Sequence, residues 1–218
     1  MITRRAFLTM TSAAGLAALG MLSSCSSSPT NTVNATGNAA NSQAQPAQAS
    51  NAAANTAASS RVAKAAVVCF SATGNTWAVA QNLADSNGFD LIRIEAAEPY
   101  TANDLNYNSD CRANSEQQAG SVRPEVAGGA PDLSGYDTIY LGYPIWWGKA
   151  PRIMLTLLES VGLAGKKVAP FCTSGGSDIA GSLDELKAAA PNATWIDGKR
   201  FAAGASASEI SQWVGKTA

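Results

Sequence analysis

The stretch "CFSATGNTWA", Cys69 to Ala78, is where the fold can first be read. An apolar run, "RVAKAAVVCF" (Arg61–Phe70), ends abruptly in Ser71, Ala72, Thr73, Gly74, Asn75 and Thr76, and an amphipathic run follows. The first run has the length and the Val/Ala content of a strand. The second, "NTWAVAQNLADSNG", spaces Trp77, Val79, Ala80, Leu83 and Ala84 along one helical face and stops at Gly88. Between them lies a turn rich in hydroxyl groups, with no lysine, arginine or carboxylate. Strand, polar turn and helix form the opening unit of an α/β sheet.

The same alternation continues to the C-terminus. "FDLIRIEA" and "DTIYLGY" (Asp137–Tyr143) read as strands, and "PRIMLTLLESVG" as a helix with proline early and glycine just past its end. "KKVAPFC" is a fourth strand, "DIAGSLDELKAAA" a helix, "TWIDGKRF" a fifth strand and "SASEISQWVGK" a closing helix that Ser206 or Ser208 would cap. This pattern predicts a mostly parallel five-stranded sheet covered on both faces, a three-layer α/β sandwich. Ligands of such sheets lie beyond the carboxyl ends of the strands, where strand order reverses. The loops to inspect are therefore those after the first, third and fourth strands.

A strand-to-helix turn exposes unpaired N–H groups and the positive end of the helix dipole. In the first loop, Ser71, Thr73, Asn75 and Thr76 add donors, and Gly74 permits backbone that other residues resist. That combination is a phosphate cradle. It lacks GxxxxGK[ST] and any lysine, so a single phosphate monoester suits it better than a nucleoside triphosphate. The second loop, "GYPIWWGKAP", crowds Tyr143, Pro144, Ile145, Trp146, Trp147 and Gly148 together, as a slot for a planar ring would. The third, Thr173, Ser174, Gly175, Gly176 and Ser177, lets backbone amides approach a ligand edge. Each loop alone has a plainer reading: a capped helix start, an apolar packing patch, a flexible turn. At one sheet edge, the three together point to flavin mononucleotide (FMN).

"FSATGNT", "GYPIWWG" and "PFCTSGG" resemble the flavodoxin family, in particular its flavodoxin-like branch with a tryptophan pair in the second loop. The resemblance runs from about Val62 to the C-terminus. It implies the flavodoxin fold, strand order 2-1-3-4-5, and noncovalent FMN. By matching positions, it implies that Ser71–Thr76 bind the phosphate and that Tyr143–Gly148 and Thr173–Ser177 contact the ring. Two features depart from the family's pattern. The third loop has no aromatic to cover a ring face. A long polar segment, Ala96–Tyr136, follows the second strand, with a helix expected around Asp104–Gln118 and Tyr100, Tyr107, Arg112 and Glu116 as candidates for function.

The first 60 residues have a different character. Thr3-Arg4-Arg5-Ala6-Phe7-Leu8 is a twin-arginine pattern, and the apolar run from Ala13 to Leu22 is too short to span a bilayer comfortably. Leu22-Ser23-Ser24-Cys25 resembles a lipobox, making Cys25 the expected lipidation site. No residue from Ser26 to Ser60 is charged, a composition expected to stay disordered and to act as a tether of roughly 30–35 Å. The expected organisation is a signal peptide over 1–24, a lipidated cysteine and tether over 25–60, and one domain over 61–218. The expected location is the bacterial cell envelope, anchored to a membrane by the N-terminal lipid.

Composition excludes several classes. There is no histidine, which removes Ser-His-Asp and Cys-His catalysis and His-ligated zinc. No metal site and no indispensable side-chain acid or base are expected. The net charge of −1 and the lack of a basic stripe argue against nucleic-acid binding. Cys69 and Cys172 end apolar runs and are expected to be buried thiols, whereas Cys111 lies in a polar segment. The leading expectation is an exported FMN electron-transfer protein, whose partner is a redox protein or a small electron acceptor. The alternatives are an FMN-dependent NAD(P)H:quinone-type reductase and a non-redox flavin-binding protein. Apolar walls and nearby carboxylates are expected to disfavour the anionic, reduced flavin.

Overall fold

A computed structural model describes residues 64–217; the leader, Cys25 and the tether lie outside the described residues. Strands β1 (Ala65–Phe70), β2 (Asp90–Ile94), β3 (Thr138–Pro144) and β4 (Lys167–Thr173) pair in parallel in the order β2-β1-β3-β4. The fifth expected strand is split into β5 (Thr194–Trp195) and β6 (Lys199–Phe201), both parallel to β4. The sheet thus has the order 2-1-3-4-5 with a sixth strand in addition. Pro170 accounts for the split. Val168 accepts a bond from the Ile196 amide at 2.9 Å; two residues on, the Pro170 nitrogen faces the same edge and has no hydrogen to donate. The chain bulges through Ile196, Asp197 and Gly198 before pairing resumes at Lys199 opposite Phe171. Gly198 passes so close that an added Cβ would lie 2.8 Å from Ile179 and 3.1 Å from the Pro170 ring.

Side chains alternate across the sheet with period two and build a core on each face. Val67, Cys69, Tyr140, Ala169 and Phe171 face α1 (Asn75–Asn87) and α5 (Ala207–Thr217), whose Val79, Leu83, Ile210 and Trp213 fill that side. Val68, Phe70, Leu141, Tyr143 and Cys172 face α3 (Arg152–Ser160) and α4 (Ala180–Ala189), packing on Ile153, Met154, Leu157 and Leu186. Gly142 is a fixed point of this packing, because a Cβ there would sit 2.3 Å from the Phe171 ring. Gly142→Ala is expected to cost about 1–3 kcal/mol in urea unfolding, partly recovered by Phe171→Leu.

Helix ends follow the sequence in part. Gly88, at φ 66°, closes α1 by donating to Ala84, and Ser206 Oγ accepts from the Glu209 amide, which caps α5. Gly162 lies just past α3, which stops at Ser160 with Val161 extended, and it is not left-handed. In the long segment after β2, the helix is shorter than expected: α2 covers only Arg112–Ala119. Residues 101–110 form turns instead. There Asp104 accepts from the amide and hydroxyl of Thr101, and Asn106 accepts from the Asn108 amide, local bonds that compete with helix. The segment returns along β2, with Ala97 donating to Glu125 and Ala127 to Glu95. Among the described residues no helix is long and apolar enough to cross a membrane.

The three described cysteines are free and buried. Cys111, although in a polar segment, is only 6 % exposed at the start of α2. Burial pushes the Cys172 thiol up to about 12 and raises that of Cys69 as well, so neither is a reactive thiolate.

Candidate functional site

Because β1, β3, β4 and β6 are parallel and in register, their carboxyl ends align and bring three loops side by side. They enclose a cavity of about 730 Å³, within the range of small-molecule sites. Thr73 and Asn75 line it from the first loop, Pro144, Ile145, Trp146 and Trp147 from the second, and Thr173 to Ser177 from the third.

The first loop leads directly into the start of α1. Gly74 is left-handed at φ 88° and forms the N-cap of α1, with its amide donating to Ser71 Oγ at 3.2 Å. No side chain caps the helix and no acid lies in its first turn. The amides of Asn75, Thr76 and Trp77 therefore have no intrahelical acceptor. Two expected phosphate ligands play other parts. The Thr76 hydroxyl is fully buried and shares a 2.8 Å hydrogen bond with the Thr173 hydroxyl. It ties the first loop to the third, and of the first loop's side chains Thr73 and Asn75 line the cavity. Ser71, 6 % exposed, acts on the turn; neither it nor Ala72 or Gly74 lines the cavity.

In the second loop, Trp146 and Lys149 exchange backbone hydrogen bonds of 2.9 and 3.0 Å across a two-residue turn. Trp147 (φ 49°) and Gly148 (φ 75°) are both left-handed, the pattern of a type I′ turn. Trp147 is the one non-glycine residue of positive φ among the described residues. A bulky side chain held there is strained, and such strain gathers at ligand sites. Gly148 and Thr173 also anchor the turn: a Cβ on Gly181 of α4 would come within 2.8 Å of the Gly148 carbonyl, and Thr173 accepts from the Ile145 amide. Tyr143 does not belong to the slot. It lies two residues past Leu141, so the strand period turns its ring into the core, fully buried, with its hydroxyl on Ser182 Oγ at 2.9 Å.

The long segment contributes more than its loop-like sequence indicates. Leu105, Tyr107 and Ala113 line the cavity. Tyr107, 73 % exposed, stands edge-on to Trp147 at 6.4 Å, supplying the aromatic that the third loop lacks. Gln117 of α2 donates to the carbonyls of Trp146 (3.0 Å) and Ala150 (3.1 Å) and so brackets the tryptophan turn. Tyr100, Arg112 and Glu116 are not in the cavity. Tyr100 packs on Trp146 at 5.1 Å, its hydroxyl donating to Glu116 and the Arg112 guanidinium lying 4.3 Å over its ring. Burial, then the bond to Glu116, raises the Tyr100 phenol, so it remains a proton-bearing strut.

Glu185 of α4 binds Lys149 (3.0 Å) and Arg152 (2.9 Å) beneath the same turn. Burial alone would raise its carboxyl, but the Lys149 bond and the two cationic charges outweigh this and hold it below the usual carboxylate range. A depressed folded value means that the stabilisation is present above about pH 4.3, the unfolded glutamate value, and is lost as pH falls through the folded one. Acid titration of unfolding should show this limb, and Glu185→Gln should flatten it.

Sequence reasoning missed Arg200, Ala202 and Ala203, which reach the cavity from β6 and the turn after it. The split of the fifth strand shifts the pairing with β4 by one residue, setting Arg200 opposite Cys172. Arg200 binds Ser174 through Nε to Oγ (2.8 Å) and Nη2 to the carbonyl (3.1 Å). Among the described residues no aspartate or glutamate lines the cavity.

The sequence matches the family model for flavodoxin over residues 64–217. The chain belongs to the flavodoxin family. Solved structures agree with this membership. A candidate flavoprotein from Bacteroides uniformis is 38 % identical, over 71 % of this chain and 99 % of that one, with TM-score 0.67. One from Bacteroides eggerthii is 37 % identical, over 72 % and 98 %, with TM-score 0.67. A flavoprotein from Lactobacillus acidophilus, solved in complex with FMN, is 24 % identical over 70 % and 99 %, with TM-score 0.56, a likeness of fold. No curated protein matches significantly. Against this flavodoxin frame, the segment after β2 and the type I′ tryptophan turn are the features that shape the cavity.

Proposed function

We propose that the domain binds FMN noncovalently and serves as an electron-transfer flavoprotein. The observation that carries this reading is one cavity bounded by an uncapped helix start and a strained tryptophan turn, with no carboxylate among the described residues of its lining. The donor set suits a phosphate monoester, and the aromatic and glycine loops suit a planar ring with a polar edge. Thr73, Asn75 and the first amides of α1 would hold the phosphate. Trp146, Trp147 and Tyr107 would wall the ring, and the backbone of residues 173–177 would bind its edge. Bound FMN supplies reversible one- or two-electron transfer. The side chains of this chain bind and orient the cofactor and exclude water from it.

The twin-arginine pattern, the lipobox and the uncharged stretch support the further reading of an exported lipoprotein, with Cys25 as anchor and the domain held off a membrane. Export of a protein folded around its cofactor fits that route. An exported enzyme would have little NAD(P)H nearby, which favours a carrier over an NAD(P)H:quinone-type reductase. The test is to add FMN to the purified domain and follow flavin fluorescence and visible absorption. Saturable uptake, with no bleaching by NADPH in the absence of a partner protein, is expected. Rapid bleaching would replace the carrier with the reductase, and lack of FMN uptake would overturn the reading. For localisation, radiolabelled palmitate should enter the full chain but not a Cys25→Ala variant.

A further inference from the structure

We propose that Arg200 makes this site hold reduced FMN more tightly than oxidised FMN and so raises the potential of the bound cofactor; the inference rests on the FMN reading above. Among the residues lining the cavity, Arg200 alone carries a formal charge. Among the described residues its hydrogen bonds go to Ser174 and to no carboxylate, and the Nη1 donors have no protein partner. Asp178, next to the third loop, opposes Arg200 in its influence on the Cys172 thiol, but it does not line the cavity and forms no ion pair with Arg200 among the described residues.

Its place in the sheet decides which part of the ligand it serves. Arg200 pairs opposite Cys172 in β6, next to the strand whose loop, Thr173–Ser177, is read as the ring site. The phosphate loop follows β1, which β3 and β4 separate from β6. At about 4.8 Å per strand, this places the two roughly 14 Å apart across the sheet. The guanidinium is a ring-side charge.

The oxidised ring is neutral. Reduction by two electrons with uptake of one proton leaves it with one negative charge near neutral pH. A cation beside the ring in a cavity of low polarity attracts the second form and is nearly indifferent to the first. Without Arg200, the apolar walls would have the opposite effect, because an unpaired charge is costly there. A differential affinity of this kind is an equilibrium shift.

The rival role is structural: Arg200 clamps Ser174 and merely shapes the loop. Two variants separate charge from clamp. Arg200→Gln removes the charge and keeps a donor for the Ser174 carbonyl, whereas Arg200→Lys keeps the charge and loses the fork. The domain, loaded with FMN, is titrated anaerobically with dithionite against a reference dye, and dissociation constants are measured for oxidised FMN and for riboflavin.

Arg200→Gln is expected to reduce the preference for reduced FMN at least tenfold, a fall of about 30 mV for a two-electron couple, while oxidised FMN binds within about threefold of wild type. Arg200→Lys is expected to retain most of the wild-type potential. An unchanged potential in Arg200→Gln, or equal weakening of both redox forms, overturns the proposal. Weakened FMN with unchanged riboflavin would move Arg200 to the phosphate and overturn it too. Wild-type protein that takes up no FMN would instead refute the FMN reading itself, and the two failures are told apart in the wild-type titration.

Discussion

Asn75→Asp should raise the melting temperature of the cofactor-free domain and, in the same molecule, weaken FMN about a hundredfold. The two effects come from one charge. Asn75 is the first residue of α1, exposed, with no acid and no side-chain cap in that turn. A carboxylate there meets the positive end of the helix and stabilises it by about 0.3–1 kcal/mol. The same carboxylate faces a phosphate that is a dianion near neutral pH. A contact between unit charges is worth about 1 kcal/mol in water and about 4 kcal/mol at a partly buried surface. Repulsion of about 2.7 kcal/mol, the equivalent of a hundredfold, lies inside those limits. Riboflavin, which has no phosphate, should bind wild type and variant alike. Parallel fluorescence titrations with the two flavins check this, and equal losses for both would remove the phosphate from the first loop.

Trp147→Asn should split stability from binding in the same direction. Position 147 holds a tryptophan at φ 49° with Gly148 behind it at φ 75°, where a type I′ turn favours Asn-Gly. Relief of that strain should stabilise the cofactor-free domain by about 1 kcal/mol. Loss of the indole should weaken FMN about tenfold, the scale of an aromatic contact of about 1.5 kcal/mol, and restore part of the flavin fluorescence that a neighbouring indole quenches. Thermal melts of the cofactor-free protein with FMN titrations test both halves. A variant that is less stable and binds FMN normally would make the tryptophan turn a packing feature alone.

Both expectations use positions that could be found in the sequence, but their signs come from the structure. Local pattern was enough to identify β1 and α1, because the apolar period changes sharply across Ser71–Thr76 and Gly88 has the chemistry of a helix stop. It was enough to place Thr73 and Asn75 beside Trp146, Trp147 and Gly175, because a parallel sheet carries the loops after β1, β3 and β4 to one edge. It failed at Tyr143 and Thr76, where residue type suggested a ligand contact and burial assigned a core role. Residue type records what a side chain can do, and strand phase decides which way it points.

The longer-range features depended on tertiary structure. Pro170 is visible in the sequence, but its effect, the split that turns Arg200 toward the cavity, depends on which neighbour faces its missing N–H. Tyr107 lies among asparagines in an apparently solvated segment and becomes a wall of the site only because Gln117 fastens α2 to the tryptophan turn. The sequence by itself determined the α/β alternation, the family and the three loops, because those rest on periodicities and turn chemistry within about fifteen residues. Only the tertiary structure decided which side chains reach the cavity and which charge lies in it, because those depend on hydrogen-bond partners brought together from distant parts of the chain.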